Sequence, residues 1–333
     1  MSASALFDSV SGSNALSAAS LFNVSGWVAV VTGGGTGLGL VTATTLAENG
    51  CKVYITGRRL EPLQEAVEAY KVRKNGYTHK GEIIAVQADV STKEGSRVSR
   101  RASKEISKWR VALIRPEFRE AIEKDEKWIN ILVNNHGVSH GCADINACEQ
   151  TPEGLSKQMF ENENFDAWRV LSHYRINCAS YHFTTFAFLP LLAAAKSVGG
   201  YPEPGNIVNL SSMSGITKTS QRGQFGYNAS KAATISLSHM QAAEFARRNL
   251  GVRVNCICPG YFPSVSRNDR HPPDANTGSE AHTAEFRNKW GIPFGRPGSA
   301  VDYAQCIFSL VTNQYVTGAE VVIDGGWLLE SAF

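Results

Sequence analysis

The sequence predicts an α/β protein built on one doubly wound parallel sheet of about seven strands, with helices on both faces. Two observations predict it: short runs nearly continuous in Val, Ile and Leu, and helix-period stretches that separate almost every such run from the next. A third is the supply of core. Of 333 residues 43% are apolar and 19% charged, enough to bury a large interior and too apolar for wholesale disorder. In order, the strands are Val28–Val31, Lys52–Thr56, Ile83–Gln87, Ile129–Asn134, Asn206–Leu210, Val252–Ile257 and Glu320–Ile323. Each is bounded by turn residues and is short enough to be buried on both faces. Residues 1–23 read as an N-terminal arm. The stretch Met1–Leu21 has one charge, Asp8, and no Lys or Arg, so it lacks the positive start of a secretory signal and the arginines of a transit peptide.

Charge and cysteine usage narrow the class. Lys and Arg number 33 against 30 Asp and Glu, a net +3, too even to mark nucleic acid or an anionic membrane as the main partner. The longest uninterrupted apolar run, Phe186–Ala195, is ten residues and contains Pro190, short of the ~18–20 that a membrane helix needs. Seven scattered cysteines with no Cys-x-x-Cys pair suggest neither a disulfide framework nor a metal knuckle, and fit a reducing, cytoplasmic setting. Ser91–Lys127 holds eleven Lys/Arg and seven Asp/Glu, with apolar residues at helical spacing. An amphipathic helix covering the sheet is favoured over a basic docking helix. Pro116, with Glu117 behind it, marks a second helix start.

The first strand runs into Thr32-Gly33-Gly34-Gly35-Thr36-Gly37-Leu38-Gly39. A strand, a glycine-rich turn and a helix start form a pyrophosphate site: glycines let the backbone approach, and unpaired N–H groups meet the negative charge. The stretch does not fit G-x-G-x-x-G; it reads T-G-x-x-x-G-x-G, a Rossmann-type turn by position rather than by that spacing. Past the second strand lie Gly57-Arg58-Arg59, with no acid between Cys51 and Leu60. A carboxylate would accept from a ribose 2′-hydroxyl and repel a 2′-phosphate, whereas a guanidinium binds the phosphate bidentately. NADP(H) is therefore the expected cofactor, held by Arg58 and Arg59.

Tyr227 and Lys231 stand four residues apart, on one helix face. The spacing alone is weak, because Tyr70 and Lys74 repeat it. Upstream of Tyr227 lies a buried-type strand ending in Ser211-Ser212-Met213-Ser214-Gly215. Nothing comparable precedes Tyr70, which is assigned to the surface.

Taken together, Thr32–Gly39, Asp89-Val90, Asn134-Asn135-His136-Gly137, Asn177, Ser211-Ser212, Tyr227–Lys231, Pro259-Gly260, Gly295-Arg296-Pro297-Gly298 and Asp324-Gly325-Gly326 resemble the classical short-chain dehydrogenase/reductase family. The likeness runs from about Val24 to Trp327 and leans to NADP(H)-preferring, fungal 3-oxoacyl-reductase-like members. It implies an oxidoreductase that passes hydride between the nicotinamide and a carbonyl or alcohol. Tyr227 would be the general acid, its phenol lowered by Lys231 and the oxidised nicotinamide. Lys231 would also hold the nicotinamide ribose, and Ser212 would hydrogen-bond the substrate oxygen. Asn177 would position a water that links Lys231 to solvent. Beside the turn glycines, the resemblance assigns Asp89 and Val90 to the adenine and Asn134 and Gly137 to the ribose. It also puts Pro259, Gly260 and Ser264 near the nicotinamide, Ser264 standing where a carboxamide-binding Thr is usual. The helices within Asp166–Ala195 and Tyr227–Asn249 would pack across two-fold axes into a homodimer or homotetramer, with Leu328–Phe333 reaching a neighbour.

The chain departs from the pattern in three ways. His136 replaces a small residue and is expected to be a packed, hydrogen-bonded histidine at the cofactor rather than a proton donor. The gap from Ser212 to Tyr227 is long, which keeps Ser214 as an alternative serine. The chain also exceeds the family's core of roughly 250 residues. It reads as one domain over 24–333, with insertions at 91–127, 138–165 and 263–293. The last two follow strand ends where substrates bind in such folds, and the run Asn268–Asp274 has the polar, proline-bearing make-up of a lid. His271 and His282 lack partners at metal spacing, so no metal is expected. The expected reaction is NADPH-dependent reduction of a ketone on a bulky or apolar substrate. Imine reduction, reduction coupled to cyclisation, and a non-catalytic NADP(H)-binding sensor are the alternatives.

Overall fold

The computed structural model describes residues 16–74, 81–90, 116–139, 142–163, 173–263, 287–288 and 290–331. Residues 91–115, Asn268–Asp274, Ser264, His271, His282 and the arm before residue 16, for which the sequence raises expectations, lie outside them.

All seven expected strands form, and they make one sheet: β1 Val28–Thr32, β2 Lys52–Gly57, β3 Glu82–Gln87, β4 Ile131–Asn134, β5 Asn206–Leu210, β6 Arg253–Pro259 and β7 Glu320–Ile323. Their order is β3-β2-β1-β4-β5-β6-β7 and every pairing is parallel. This is a Rossmann-like doubly wound sheet. The chain builds outward from β1 to β3, returns to β4 beside β1, and builds the other way. A crevice therefore opens at the carboxyl ends of β1 and β4, where such sheets bind ligands. β4 starts two residues later than its apolar run, because the Ile129 N–H is taken by the Leu191 carbonyl (3.0 Å).

Buried strands need cover on both faces, and the alternation of side chains supplies two cores. Ala29 and Val31 face one core, with helices α1 (Gly37–Glu48), α2 (Leu60–Lys74) and α6 (Ala300–Thr312). Val28 and Val30 face the other, with α3 (Pro116–Glu123), α4 (Ser180–Ser197) and α5 (Phe225–Arg247). The helix start at Pro116 is thus in place, and Ile122 of that helix is wholly buried. The assignment of Tyr70 to the surface is wrong. Leu63, Ala66, Val67 and Tyr70 recur at helical spacing along α2 and pack into the first core, leaving Tyr70 5% exposed. That stripe, rather than the charges around it, fixes the tyrosine's direction.

The stretch Arg175–Ser197 is long and apolar enough to cross a membrane, with a mean hydropathy of 1.3. The ten-residue run did not reveal this, but half of the stretch is buried inside the protein, as befits a helix packed on a sheet. All seven cysteines are free thiols.

Candidate active site

A cavity of about 760 Å³ occupies the crevice at the β1/β4 switch. Its floor is the glycine turn. Gly33 has φ +66°, and a Cβ there would meet the His136 backbone at 2.9 Å. Gly39 lets α1 approach the turn so closely that a Cβ would stand 2.2 Å from the Gly33 carbonyl oxygen. Gly33, Gly35, Thr36, Gly37 and Leu38 line the cavity. Thr32 and Gly39 lie behind them; Thr32 Oγ1 donates to the Val133 carbonyl and accepts from Asn135 N–H. Thr36 caps α1 without a side-chain hydrogen bond, and no acid stands in that helix's first turn. The N–H groups of the turn thus keep their pull on an anion.

Arg58 and Arg59 at the end of β2 and Asp89 and Val90 past β3 line the same cavity. The Gln87 amide holds the Arg58 carbonyl at 2.8 Å, which ties the two strand ends together. The residues present fit a dinucleotide with an added phosphate: a close-approach glycine cradle, an uncapped helix start, and two guanidinium groups with no carboxylate at the strand end.

Beyond β4, His136 and Gly137 reach the wall but Asn134 does not. Side chains alternate along a strand, so neighbours point opposite ways. Asn134 is fully buried and donates to Thr185 Oγ1 and Asn209 Oδ1. Asn135 reaches the wall instead and pins the glycine turn through the Thr32 and Gly33 carbonyls. His136 is the packed histidine expected. Its Nδ1 lies 2.8 Å from Thr32 Oγ1 and its Nε2 2.6 Å from Ser180 Oγ, and its carbonyl accepts from the Tyr181 hydroxyl. Burial, then the cations Lys231 and Arg58, hold its pKa down to about 3, so the ring is neutral near pH 7.

Ser212, Tyr227 and Lys231 meet on the opposite wall, with Pro259 and Gly260 beside them. Ser212 follows β5; its hydroxyl donates to the Pro259 carbonyl at 3.4 Å and accepts from Ser214 N–H at 3.1 Å. Ser214 is buried off the wall, its hydroxyl turned to Met213 Sδ. Lys231 Nζ stands 5.9 Å from the Tyr227 ring centre and donates to the Leu210 carbonyl at 2.9 Å. Burial lowers its pKa to about 8. The Tyr227 phenol is shifted up, not down: burial raises it, and only the nearby Ser212 hydroxyl works the other way.

Asn177 sits on a wide, π-type turn, Arg175–Ala179, and does not reach the wall. Its Oδ1 accepts from Val138 N–H, and its Nδ2 donates to the Val138 carbonyl and Ser230 Oγ. Its own carbonyl accepts from Thr234 Oγ1 at 2.7 Å. The sequence reading missed three neighbours. Gln224 and Cys142 line the cavity, and buried His173 sets its ring edgewise to Tyr227 at 5.9 Å. Only the place of Gln224, three residues before Tyr227, was open to notice in the sequence.

A nucleotide-type crevice with a serine, tyrosine and lysine on one wall defines the class, and comparison with known proteins agrees. The short chain dehydrogenase model matches residues 27–111, and the model described as enoyl-(acyl carrier protein) reductase matches 116–328. The chain is 32% identical over 318 residues to the short-chain dehydrogenase/reductase PhomF of Diaporthe leptostromiformis, covering 94% of this chain and 95% of that one. It is 30% identical to the rhamnolipids biosynthesis 3-oxoacyl-[acyl-carrier-protein] reductase of Pseudomonas aeruginosa, over 92% and 98% of the two chains. Among solved structures, the Pseudomonas aeruginosa RhlG/NADP active-site complex superposes with a TM-score of 0.65 at 26% identity, over 92% and 98%. The protein belongs to the short-chain dehydrogenase/reductase family, whose members are oxidoreductases acting on alcohol and carbonyl groups.

Proposed function

We propose that the protein is an NADP(H)-dependent reductase that delivers hydride to a ketone, with Tyr227 as general acid. The observation that carries this reading is the convergence of Ser212, Tyr227 and Lys231 on the cavity that also holds Arg58, Arg59 and the glycine turn. The turn from Thr32 to Gly39 would take the pyrophosphate, Arg58 and Arg59 the 2′-phosphate, and Asp89 and Val90 the adenine. His136, Gly137, Pro259 and Gly260 would bound the nicotinamide end. When bound, the nicotinamide supplies the hydride.

The chain's own groups manage the proton. Burial keeps Tyr227 protonated near neutral pH, so it arrives with a proton to give as negative charge develops on the substrate oxygen. Ser212, on the same wall of the cavity, would hold the same oxygen. Lys231, with a pKa of about 8, is cationic at pH 7 and favours the phenolate that remains. Asn177 contributes as a positioning residue: it grips Val138 and Ser230, and so braces the 136–138 loop against α5.

NADPH should bind at least about tenfold more tightly than NADH, a difference of ~1.4 kcal/mol, and Arg58→Ala should erase most of that margin. Fluorescence titration of both cofactors checks it, and equal affinities in the unaltered protein would rule the assignment out. A homodimer or homotetramer is part of the same reading. α4 turns Phe183 and Phe186 outward, 46% and 45% exposed, and α5 does the same with Met240 at 56%, an apolar surface of the kind partners cover. A monomer mass by light scattering at micromolar concentration would refute it.

A further inference from the structure

Resting on that reading of the site, we infer that Gln224 is a specificity-determining residue that selects ketones carrying a hydrogen-bond donor, such as a hydroxyl, close to the carbonyl. Gln224 occupies the cap position of α5, three residues before Tyr227, and lines the same cavity. A residue there ordinarily turns its side chain back to the first helical N–H groups, yet this one makes no such bond. Its Nε2 donates instead to the Gln221 carbonyl at 3.2 Å. That contact fixes which end of the amide is which, since the reverse orientation would set two oxygens against each other. Oε1 accepts no hydrogen bond among the described residues. It is therefore an oriented acceptor, on the cavity that Tyr227 and Ser212 also line and where their hydroxyls would engage the ketone oxygen.

The turn that carries the Gln221 carbonyl is held in an unusual shape. Gln221, Arg222 and Gly223 have φ of 49°, 73° and 109°, a left-handed run that residues with a Cβ adopt at a cost. Contacts across the cavity mouth keep it there. The Arg222 carbonyl accepts from Ile145 N–H at 3.3 Å, and its guanidinium meets Asp144 at 2.6 Å. Gly223 lies where a Cβ would stand 2.4 Å from the Ala143 carbonyl. The segment after β4 thus clamps the turn, and the turn aims Gln224. The same lining also carries apolar groups, Val138, Ile176 and Phe262, beside Ser139 and Cys142. An acceptor on such a wall favours a substrate donor and leaves a non-donor unrewarded.

The test uses the full-length protein with benzylacetone and its benzylic hydroxy derivative, whose hydroxyl lies two carbons from the carbonyl carbon. Calorimetric titration reads binding, and NADPH consumption reads turnover. Binding of the hydroxy ketone should be about tenfold tighter than that of benzylacetone in the unaltered protein. Gln224→Met, which keeps length and removes the acceptor, should bring the ratio to about one by weakening only the hydroxy ketone. Unchanged affinity for benzylacetone and for NADPH in Gln224→Met controls for a merely disturbed fold. Equal binding in the unaltered protein, or a preference that survives Gln224→Met, overturns the proposal. A tenfold binding preference without turnover of either ketone supports it, and counts instead against the carbonyl-reduction reading.

Discussion

Helices α2 and α5 both carry a tyrosine and a lysine four residues apart, yet only one pair stands at a cavity. Tyr70 points into the core between α2 and the sheet, among Leu63, Ala66 and Val67. Tyr227 lines the open crevice that also holds the glycine turn, with Ser212 on the same wall and Lys231 beside its ring. Tyr70 is buried and Tyr227 only half-buried, a difference that follows from their placement. What separates them is where each helix begins relative to the sheet. α5 starts at the carboxyl end of β5, on the side of the switch point, and its first turn is therefore delivered to the cavity. Tyr70 lies more than two turns into α2, which has by then run back along the sheet.

The sharpest way to break this contrast is to remove one hydroxyl from each ring. Tyr227→Phe should lower hydride transfer by at least about 10²–10⁴, the contribution of a positioned acid, while thermal stability and NADPH affinity hold. Lys231→Ala should cost both rate and NADPH affinity, because in the proposed mechanism the same ammonium serves the phenol and the ribose. Steady-state kinetics on one ketone, with cofactor titration alongside, measures both. If Tyr227→Phe turns over normally, the proton comes from elsewhere. His136 is then a poor candidate, since both its ring nitrogens are engaged and its pKa is held near 3.

A second comparison sets that histidine against an ordinary one. A folded pKa of about 3 against ~6.5 unfolded means that the unfolded chain binds the extra proton between those values. Stability should therefore be full above about pH 6.5 and fall as the pH drops toward 3, with His136 accounting for up to a few kcal/mol. Urea midpoints at pH 7 and pH 5 should separate less in His136→Gln than in the unaltered protein; the same separation in both would contradict it. The smallest effect belongs to the decoy. Tyr70→Phe should leave turnover and cofactor affinity unchanged and shift stability by no more than ~1–2 kcal/mol. A matched loss of rate would erase the distinction between the two helices.

Much of the fold could be read directly from the chain, because strands buried on both faces leave runs of Val, Ile and Leu that have no other use. The glycine turn, Arg58, Ser212, Tyr227 and Lys231 were legible because each sits at a strand end or helix start that the same runs locate. Asn134 was assigned to the wall where Asn135 belongs, since one step along a strand end reverses a side chain and composition is blind to that step. Tyr70 was misjudged by weighing neighbouring charges above the i, i+3, i+4, i+7 stripe. Gln224 left no local signature beyond its spacing from Tyr227. Its importance depends on a left-handed turn and on a segment some eighty residues earlier, neither of which a window of sequence contains.

The close approach at Gly39 carries a consequence for genetics. The atom a new methyl would strike is backbone, the Gly33 carbonyl oxygen, with no flexible end to swing aside. A saturation library should therefore show no tolerated allele at codon 39, whereas codon 200, where φ is +72° and nothing lies within 4 Å, should accept Asn or Asp. Gly39→Ala would give a strain in which the polypeptide keeps its tyrosine and lysine but loses its nucleotide. That allele separates what a cell needs from the loaded enzyme from what it needs from the bare scaffold.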